Sequence, residues 1–148
     1  MRAVIQRVND ACVKVDDEVV GSINKGILVL LGIEKADSEN DVSWMVEKII
    51  NLRIFEDDKQ KMNLSLKDVD GDLLAVSQFT LLGDARKGRR PSFTDAAPPE
   101  KAQELYKIFL NKASEEINTE SGIFQAYMSV SLTNDGPVTI LLDSKKRF

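Results

Sequence analysis

The sequence predicts an α+β fold, a single compact domain over residues 1–148 with a barrel-like, mainly antiparallel sheet and two principal helices. Three observations lead there. Alternating or unbroken apolar runs recur at Arg2 to Ile33, at Leu73 to Leu82 and at Phe124 to Leu142. Only the segments 38–50 and 98–109 carry a helical stripe. At 148 residues the chain is long enough to bury roughly two-thirds of its unfolded surface around one core, and no repeat, low-complexity tract or Ser/Gly linker divides it.

Arg2 to Val15 alternates as a strand, with Val4, Gln6 and Val8 on one face and Ile5 and Arg7 on the other. Asp16-Asp17 offers a turn from which Glu18 to Ile23 returns as a hairpin. Ile27 to Ile33 is almost wholly apolar and reads as a strand covered on both faces. Ser38 with Asp41 forms a variant capping box, after which Val42, Met45, Val46, Ile49 and Ile50 keep helical spacing. Trp44, Met45 and, in the second helix, Tyr106 are expected in the core or at an interface.

Arg53 to Phe55 and the segment from Leu64 extend, Asp70-Gly71 turns the chain as a hairpin, and Leu73 to Leu82 follows as a strand. The polar stretch Gly83 to Ala97 is long for a structureless loop and therefore a functional candidate. Pro98-Pro99 opens the second helix, where Ala102, Leu105, Tyr106 and Phe109 share a stripe. Strands Phe124 to Leu132 and Val138 to Leu142 close the chain, joined by a turn at Asn134-Asp135-Gly136-Pro137. The order is βββαββαββ.

There is no histidine, which excludes every His-based triad and His-containing metal site. One cysteine, Cys12, permits no internal disulfide and reads as a packed strand residue. The amino terminus starts in an alternating segment, without a charged-then-apolar leader. The longest apolar run, Ile27 to Leu31, is far below the roughly 20 residues that cross a bilayer, so a cytoplasmic protein with no membrane contact is expected. Net charge is -4, yet Arg86-Lys87-Gly88-Arg89-Arg90 and Lys145-Lys146-Arg147 concentrate cations in a loop and at a tail expected to fray.

Two apparent motifs fail. Gly83 to Arg90 has P-loop glycine spacing, but Arg-Arg replaces Lys-Ser/Thr and Pro91 stands where a helix should begin. Asp68 to Asp72 hints at a calcium loop, but its glycine comes early and its twelfth position is Phe79. No metal and no cofactor are expected.

Two polar segments survive. Strand alternation would place Ser77 and Phe79 on one face and Gln78 and Thr80 on the other, and buried hydroxyls and amides are costly without partners. Gly136-Pro137 has the composition of a turn. Ser77-Gln78-Phe79-Thr80-Leu81, then Gly88 to Phe93, then Asn134 to Thr139, with Ala3 to Val8 at the start, together resemble the D-aminoacyl-tRNA deacylase family. The resemblance covers essentially Met1 to Leu142 and includes Arg53-Ile54-Phe55 and Lys61-Met62-Asn63. A related deacylase family has Pro-Gln-Ala-Thr where this chain has Ser77 to Thr80, which points to the D-specific branch.

The resemblance implies a homodimeric hydrolase with active sites at the subunit interface. Its substrate would be the ester joining a D-amino acid, or glycine mischarged on tRNA-Ala, to the terminal adenosine of tRNA. It further implies that Gly136-Pro137 is cis and that its carbonyl oxygens enter the partner's pocket to reject L-amino acids. Ser77, Gln78, Phe79 and Thr80 would line that pocket and carry catalysis, with main-chain N–H groups near Gln78 and Phe79 binding substrate. Phe124 and Met128 would contact the adenine, and Arg7 would hold the Gly-Pro turn.

Physical reasoning is consistent with this. An enzyme accepting many D-amino acids must read configuration at Cα, where rigid backbone atoms exclude an L side chain. The ester is already activated, so preorganised backbone donors stabilising the oxyanion supply much of the catalysis. Two routes to attack stay open: Thr80 as a covalent nucleophile, which has no base beside it in sequence, and water oriented by the terminal ribose 2′-hydroxyl, which is favoured. The alternative function is a non-catalytic module that grips a tRNA acceptor stem through Arg86 to Arg90.

Overall fold

β1 (Arg2–Val15) frames the molecule because both of its edges are paired. One edge pairs antiparallel with β2 (Glu18–Ile23) and β3 (Gly26–Gly32); the other pairs antiparallel with β8 (Ser129–Asp143) over residues 2–14. Asp16 and Asp17 link β1 to β2 with φ of 50° and 64°, the left-handed pair that a two-residue hairpin requires. These relations come from a computed structural model that describes all of residues 1–148.

β3 pairs in parallel with β6 (Asp72–Ser77), and β6 with β7 (Thr119–Ser121). β2 and β7 then approach so closely that a Cβ on Gly21 would stand 2.7 Å from the Ser121 carbonyl oxygen. The sheet therefore curls into a nearly closed barrel. Alternation along β3 explains its double burial: Ile27, Val29 and Leu31 face a core of 22 residues beneath α1 (Glu39–Ile50) and α2 (Pro99–Ser114), while Leu28 faces the barrel interior with Leu74, Val76, Val8, Val13 and Ile23. β4 (Phe55–Glu56) and β5 (Met62–Leu64) form a separate two-stranded ribbon. The α+β class and both helices are as the sequence predicts.

Local chemistry sets the helix starts. The Asp41 carboxylate accepts the Ser38 N–H at 2.9 Å and the Ser38 hydroxyl at 3.0 Å. Pro98 and Pro99 open α2 where no intrahelical N–H is needed. Met45 and Tyr106 are buried and Trp44 half-buried; the Tyr106 hydroxyl donates to the Ala75 carbonyl at 2.9 Å, and burial pushes its pKa well up.

Several expectations are corrected, and one element was missed. The strand expected to reach Leu82 ends at Ser77, and Phe79–Leu82 is a 3-10 turn, so two-face alternation does not hold for Gln78 to Thr80. Leu82 is buried from that turn, which is what prolongs the apolar run. Asp70-Gly71 leads into a strand paired in parallel with β3 and so makes no hairpin. β7 was not legible, being three half-buried residues with no apolar alternation. Residues 124–128 precede β8 as a loop in which Gln125 has φ of 63°, and no hairpin divides residues 129–143. Both flanks of the Gly-Pro turn pair with β1: Asn134 with Val8 and Thr139 with Gln6, leaving Asp135 to Val138 as a four-residue excursion opposite Arg7.

The basic tail does not fray. Lys145 pairs with Asp41 at 2.6 Å, and Arg147 with Asp143 at 2.9 Å and with Glu34. Beside them the Met1 ammonium donates to Asp37 at 2.6 Å and to the Ser144 hydroxyl at 2.9 Å. No helix is long and apolar enough to cross a membrane.

Candidate active site

A cleft of about 580 Å³ opens where β3 and β6 end. Leu31, Val76 and Ser77 come from those two strands, and Ile33 follows the end of β3. Gln78 and Phe79 form one lip, Ala96, Ala97, Pro99 and Ala102 a second wall, and Phe124 to Met128 with Val130 a third. None of the lining side chains is Asp, Glu, Lys or Arg, so the cleft holds no acid–base pair.

The lip is shaped by the switch from strand to 3-10 turn. The Gln78 N–H donates to the Leu31 carbonyl at 2.7 Å and is thereby spent on the sheet. The first bond inside the turn runs from the Leu81 N–H to the Gln78 carbonyl at 3.3 Å, so the amides of Phe79 and Thr80 have no carbonyl within the turn to bond. The expectation of donors near Gln78 and Phe79 therefore moves one residue along the chain. The Gln78 amide group donates to the Thr80 hydroxyl, and a neutral amide cannot accept the proton a nucleophilic hydroxyl must lose. Phe79 is exposed and packs edge-on against Phe93, ring centres 5.1 Å apart.

The opposite wall depends on Gly122. A Cβ there would lie 2.5 Å from the Met128 sulfur, so only glycine lets that thioether fold back beside the cleft. Phe124 is held from behind by Tyr106, ring centres 6.0 Å apart.

Of the candidate residues, the fold brings Ser77, Gln78, Phe79, Phe124 and Met128 to this cleft and leaves Thr80 just outside its lining. Arg7, Gly136 and Pro137 lie elsewhere on the same chain, at the β8 excursion. The Gly136–Pro137 peptide is cis, and both residues are exposed. Arg7, 4% exposed, donates to the Asp135 carbonyl at 3.3 Å and to the Ile54 carbonyl at 2.6 Å, and pairs with the Asp135 carboxylate at 2.9 Å. Gly136 has φ of +113°, and a Cβ there would meet the Arg7 guanidinium at 2.8 Å. Sequence reasoning missed Gln6, whose side-chain oxygen accepts from Asn134 at 3.4 Å and from Thr139, tying together the two ends of the excursion. Its strand alternation gave only a face; the β1–β8 register is what shows the contact.

Comparison with known proteins accords with this geometry. The family model described as D-Tyr-tRNA(Tyr) deacylase matches residues 4–143. A D-aminoacyl-tRNA deacylase of Kosmotoga olearia is 66% identical over 148 residues, covering 100% of both chains. One of Syntrophus aciditrophicus is 63% identical over 149 residues, again covering 100% of both. A solved structure titled c-Myc DNA Unwinding Element Binding Protein superposes with a TM-score of 0.92 at 44% identity, over 97% of this chain and 98% of that one. A probable eukaryotic D-amino acid tRNA deacylase shares the fold, with a TM-score of 0.83 at 18% identity over 95% and 97% of the two chains. The match spans the cleft, its 3-10 lip and the β8 excursion alike, and on it this chain belongs to the D-Tyr-tRNA(Tyr) deacylase family.

Proposed function

We propose that this chain hydrolyses the ester of D-aminoacyl-tRNA, releasing the D-amino acid from the terminal adenosine, and acts on glycine charged to tRNA-Ala in the same way. The observation that carries the reading is an apolar cleft with turn amides at its lip and no charged side chain. Such a site suits a substrate that is itself activated and needs only positioning and oxyanion stabilisation.

Water attacks the ester carbonyl carbon, the amides of Phe79 and Thr80 receive the developing oxyanion, and the bond to the ribose 3′-oxygen breaks as that oxygen takes a proton. The terminal ribose 2′-hydroxyl orients the water. Thr80 positions rather than attacks, since only the Gln78 amide stands beside its hydroxyl. Phe124 and Met128 offer a flat ring and a soft thioether to the adenine.

Chiral rejection falls to Gly136-Pro137. In this reading two copies pair so that the excursion of one enters the cleft of the other, its main-chain oxygens lying where an L side chain would project. Three features support pairing. Gly136 and Pro137, in the middle of the excursion, are exposed and outside their own chain's cleft. The outer edge of β8 has no strand partner. Phe79, Tyr127, Leu132 and Leu141 are exposed at 58%, 95%, 37% and 57%, an unusual outlay of apolar surface around cleft and β8. Glycine carries no side chain to exclude and so passes. A location in the cytoplasm, where charged tRNA is used, follows from this activity.

The test is release of labelled D-tyrosine, L-tyrosine and glycine from charged tRNA by purified protein. D-tyrosine and glycine are expected to leave and L-tyrosine to stay. Equal release of L-tyrosine overturns the rejection role of the turn, and no release of any of them overturns the deacylase reading.

A further inference from the structure

Chain-wide charge argues against a polyanionic partner, since the net value is -4. The distribution of ion pairs changes that conclusion. The tail cations Lys145 and Arg147 are bound to Asp41, Asp143 and Glu34. Within the loop, Arg86 is taken by Asp84 through two charge-assisted bonds at 2.9 Å and 2.7 Å, and Asp95 adds its field to the same guanidinium. Lys87, Arg89 and Arg90 are exposed and take part in no ion pair. Three uncompensated cations within four residues are thus the concentrated positive charge of this surface.

Their position matters as much as their sign. The Gly83 N–H donates to the Thr80 carbonyl at 3.0 Å, so the loop springs from the lip of the cleft itself. Paired backbone bonds between Asp84 and Ser92, at 2.8 Å and 2.9 Å, close its base, and Phe93 just beyond packs on Phe79. Gly88, with φ of +84° and open space around it, turns the tip. From Asp84 to Gly88 the loop reaches up to about 13 Å from the lip at roughly 3.3 Å per residue, a span of a few nucleotides. On the far side Lys101 donates to the Lys35 carbonyl at 2.6 Å, bringing that cation to the wall that ends in Ala96 and Ala97.

We infer that Lys87, Arg89 and Arg90 bind the phosphates immediately 5′ of the terminal adenosine, holding the acceptor end of the tRNA while the cleft holds the ester. The inference rests on the deacylase reading for the identity of the RNA, and it separates these three residues from Arg86 and from the basic tail. Contacts of this kind carry no sequence information and set register and affinity. They also explain how a cleft without charged residues retains a highly charged substrate.

The experiment measures the Kd of uncharged tRNA between about 50 and 200 mM salt for the wild-type protein, for a Lys87→Gln/Arg89→Gln/Arg90→Gln variant and for a Lys48→Gln/Lys107→Gln/Lys112→Gln variant of equal charge change. Losing three phosphate contacts should flatten the slope of log Kd against log salt by about 2 to 2.7 for the loop variant. Over that range the wild-type affinity then falls about twenty- to fortyfold more than that of the loop variant. The helix variant keeps the wild-type slope. A loop variant with the wild-type slope overturns the inference, and so does an equal flattening in both variants, which would make the effect one of net charge. Release of D-tyrosine from D-tyrosyl-tRNA by the wild-type protein at the low end of that salt range tests the deacylase reading separately: its absence sinks that reading, whatever the salt slopes show.

Discussion

At the scale of single residues, two positions separate chemistry from geometry. Thr80 stands next to the amides assigned to the oxyanion, but its hydroxyl meets only the Gln78 amide and no base. Thr80→Ala is therefore expected to keep deacylation within about tenfold of wild type, since what it removes is one positioning contact worth about 1 kcal/mol. Single-turnover hydrolysis of D-tyrosyl-tRNA decides this, and complete loss in a folded protein would establish a covalent role. Gly136 is the opposite case. Its φ of +113° and the 2.8 Å approach to Arg7 leave no room for a methyl group. Gly136→Ala must displace either the backbone of the excursion or the guanidinium beneath it, at a cost of about 1–3 kcal/mol. The expected signature is a reduced ratio of D- to L-tyrosyl-tRNA hydrolysis together with a lower urea midpoint; an unchanged ratio would remove Gly136 from the rejection device.

At the scale of elements, the wall from Phe124 to Met128 is held by what Gly122 lacks. With a Cβ at 2.5 Å, Gly122→Ala pushes the Met128 thioether off its seat beside the cleft. Because that thioether is assigned to adenine contact and not to the reacting carbonyl, KM for D-aminoacyl-tRNA should rise severalfold with kcat retained; a fall in kcat at unchanged KM would place Met128 nearer the chemistry. The same element shows where the sequence was and was not readable. β1, β3 and both helices were legible because hydrophobic periodicity reports directly on a buried face. β7 was not, because Thr119 to Ser121 earn their place through ladder bonds to β6 and not through apolar side chains. Asn134 to Pro137 has the composition of a hairpin turn, and only the pairing of both flanks with β1, more than a hundred residues away in sequence, turns it into an excursion. Family resemblance supplied the site residues, while the spent Gln78 amide, the Gln6 tie and the neutralised tail lie in long-range contacts that no local pattern encodes.

At the scale of the whole molecule, the two chain ends are locked into one charged seam against α1. Burial raises the Asp41 carboxyl, but hydrogen bonds from Lys145, Ser144 and Ser38 outweigh it and hold the group well below the ordinary carboxylate range. Asp143 behaves alike: burial pushes it up, and Arg147, the Lys145 N–H and Arg2 more than offset this. Both pKa values are thus lower in the folded chain than in the unfolded one, where aspartate titrates near about 3.9. Their contribution to stability is accordingly complete above that value and is lost as pH falls through the folded pKa, because the unfolded chain binds the protons first. The urea midpoint should therefore begin to drop as pH falls below about 5 and keep dropping below about pH 4 toward the folded pKa values, and drop less in a Lys145→Met/Arg147→Met variant, whose carboxyls return toward their ordinary values. Since Asp41 also caps α1 and Ser144 binds the Met1 ammonium, acid should release helix start and chain ends together. Parallel pH profiles for the two proteins would show that the seam contributes no proton-linked stability, and would shift the explanation of acid lability to carboxylates elsewhere, such as Asp57 and Asp68, which backbone N–H groups also hold below the usual range.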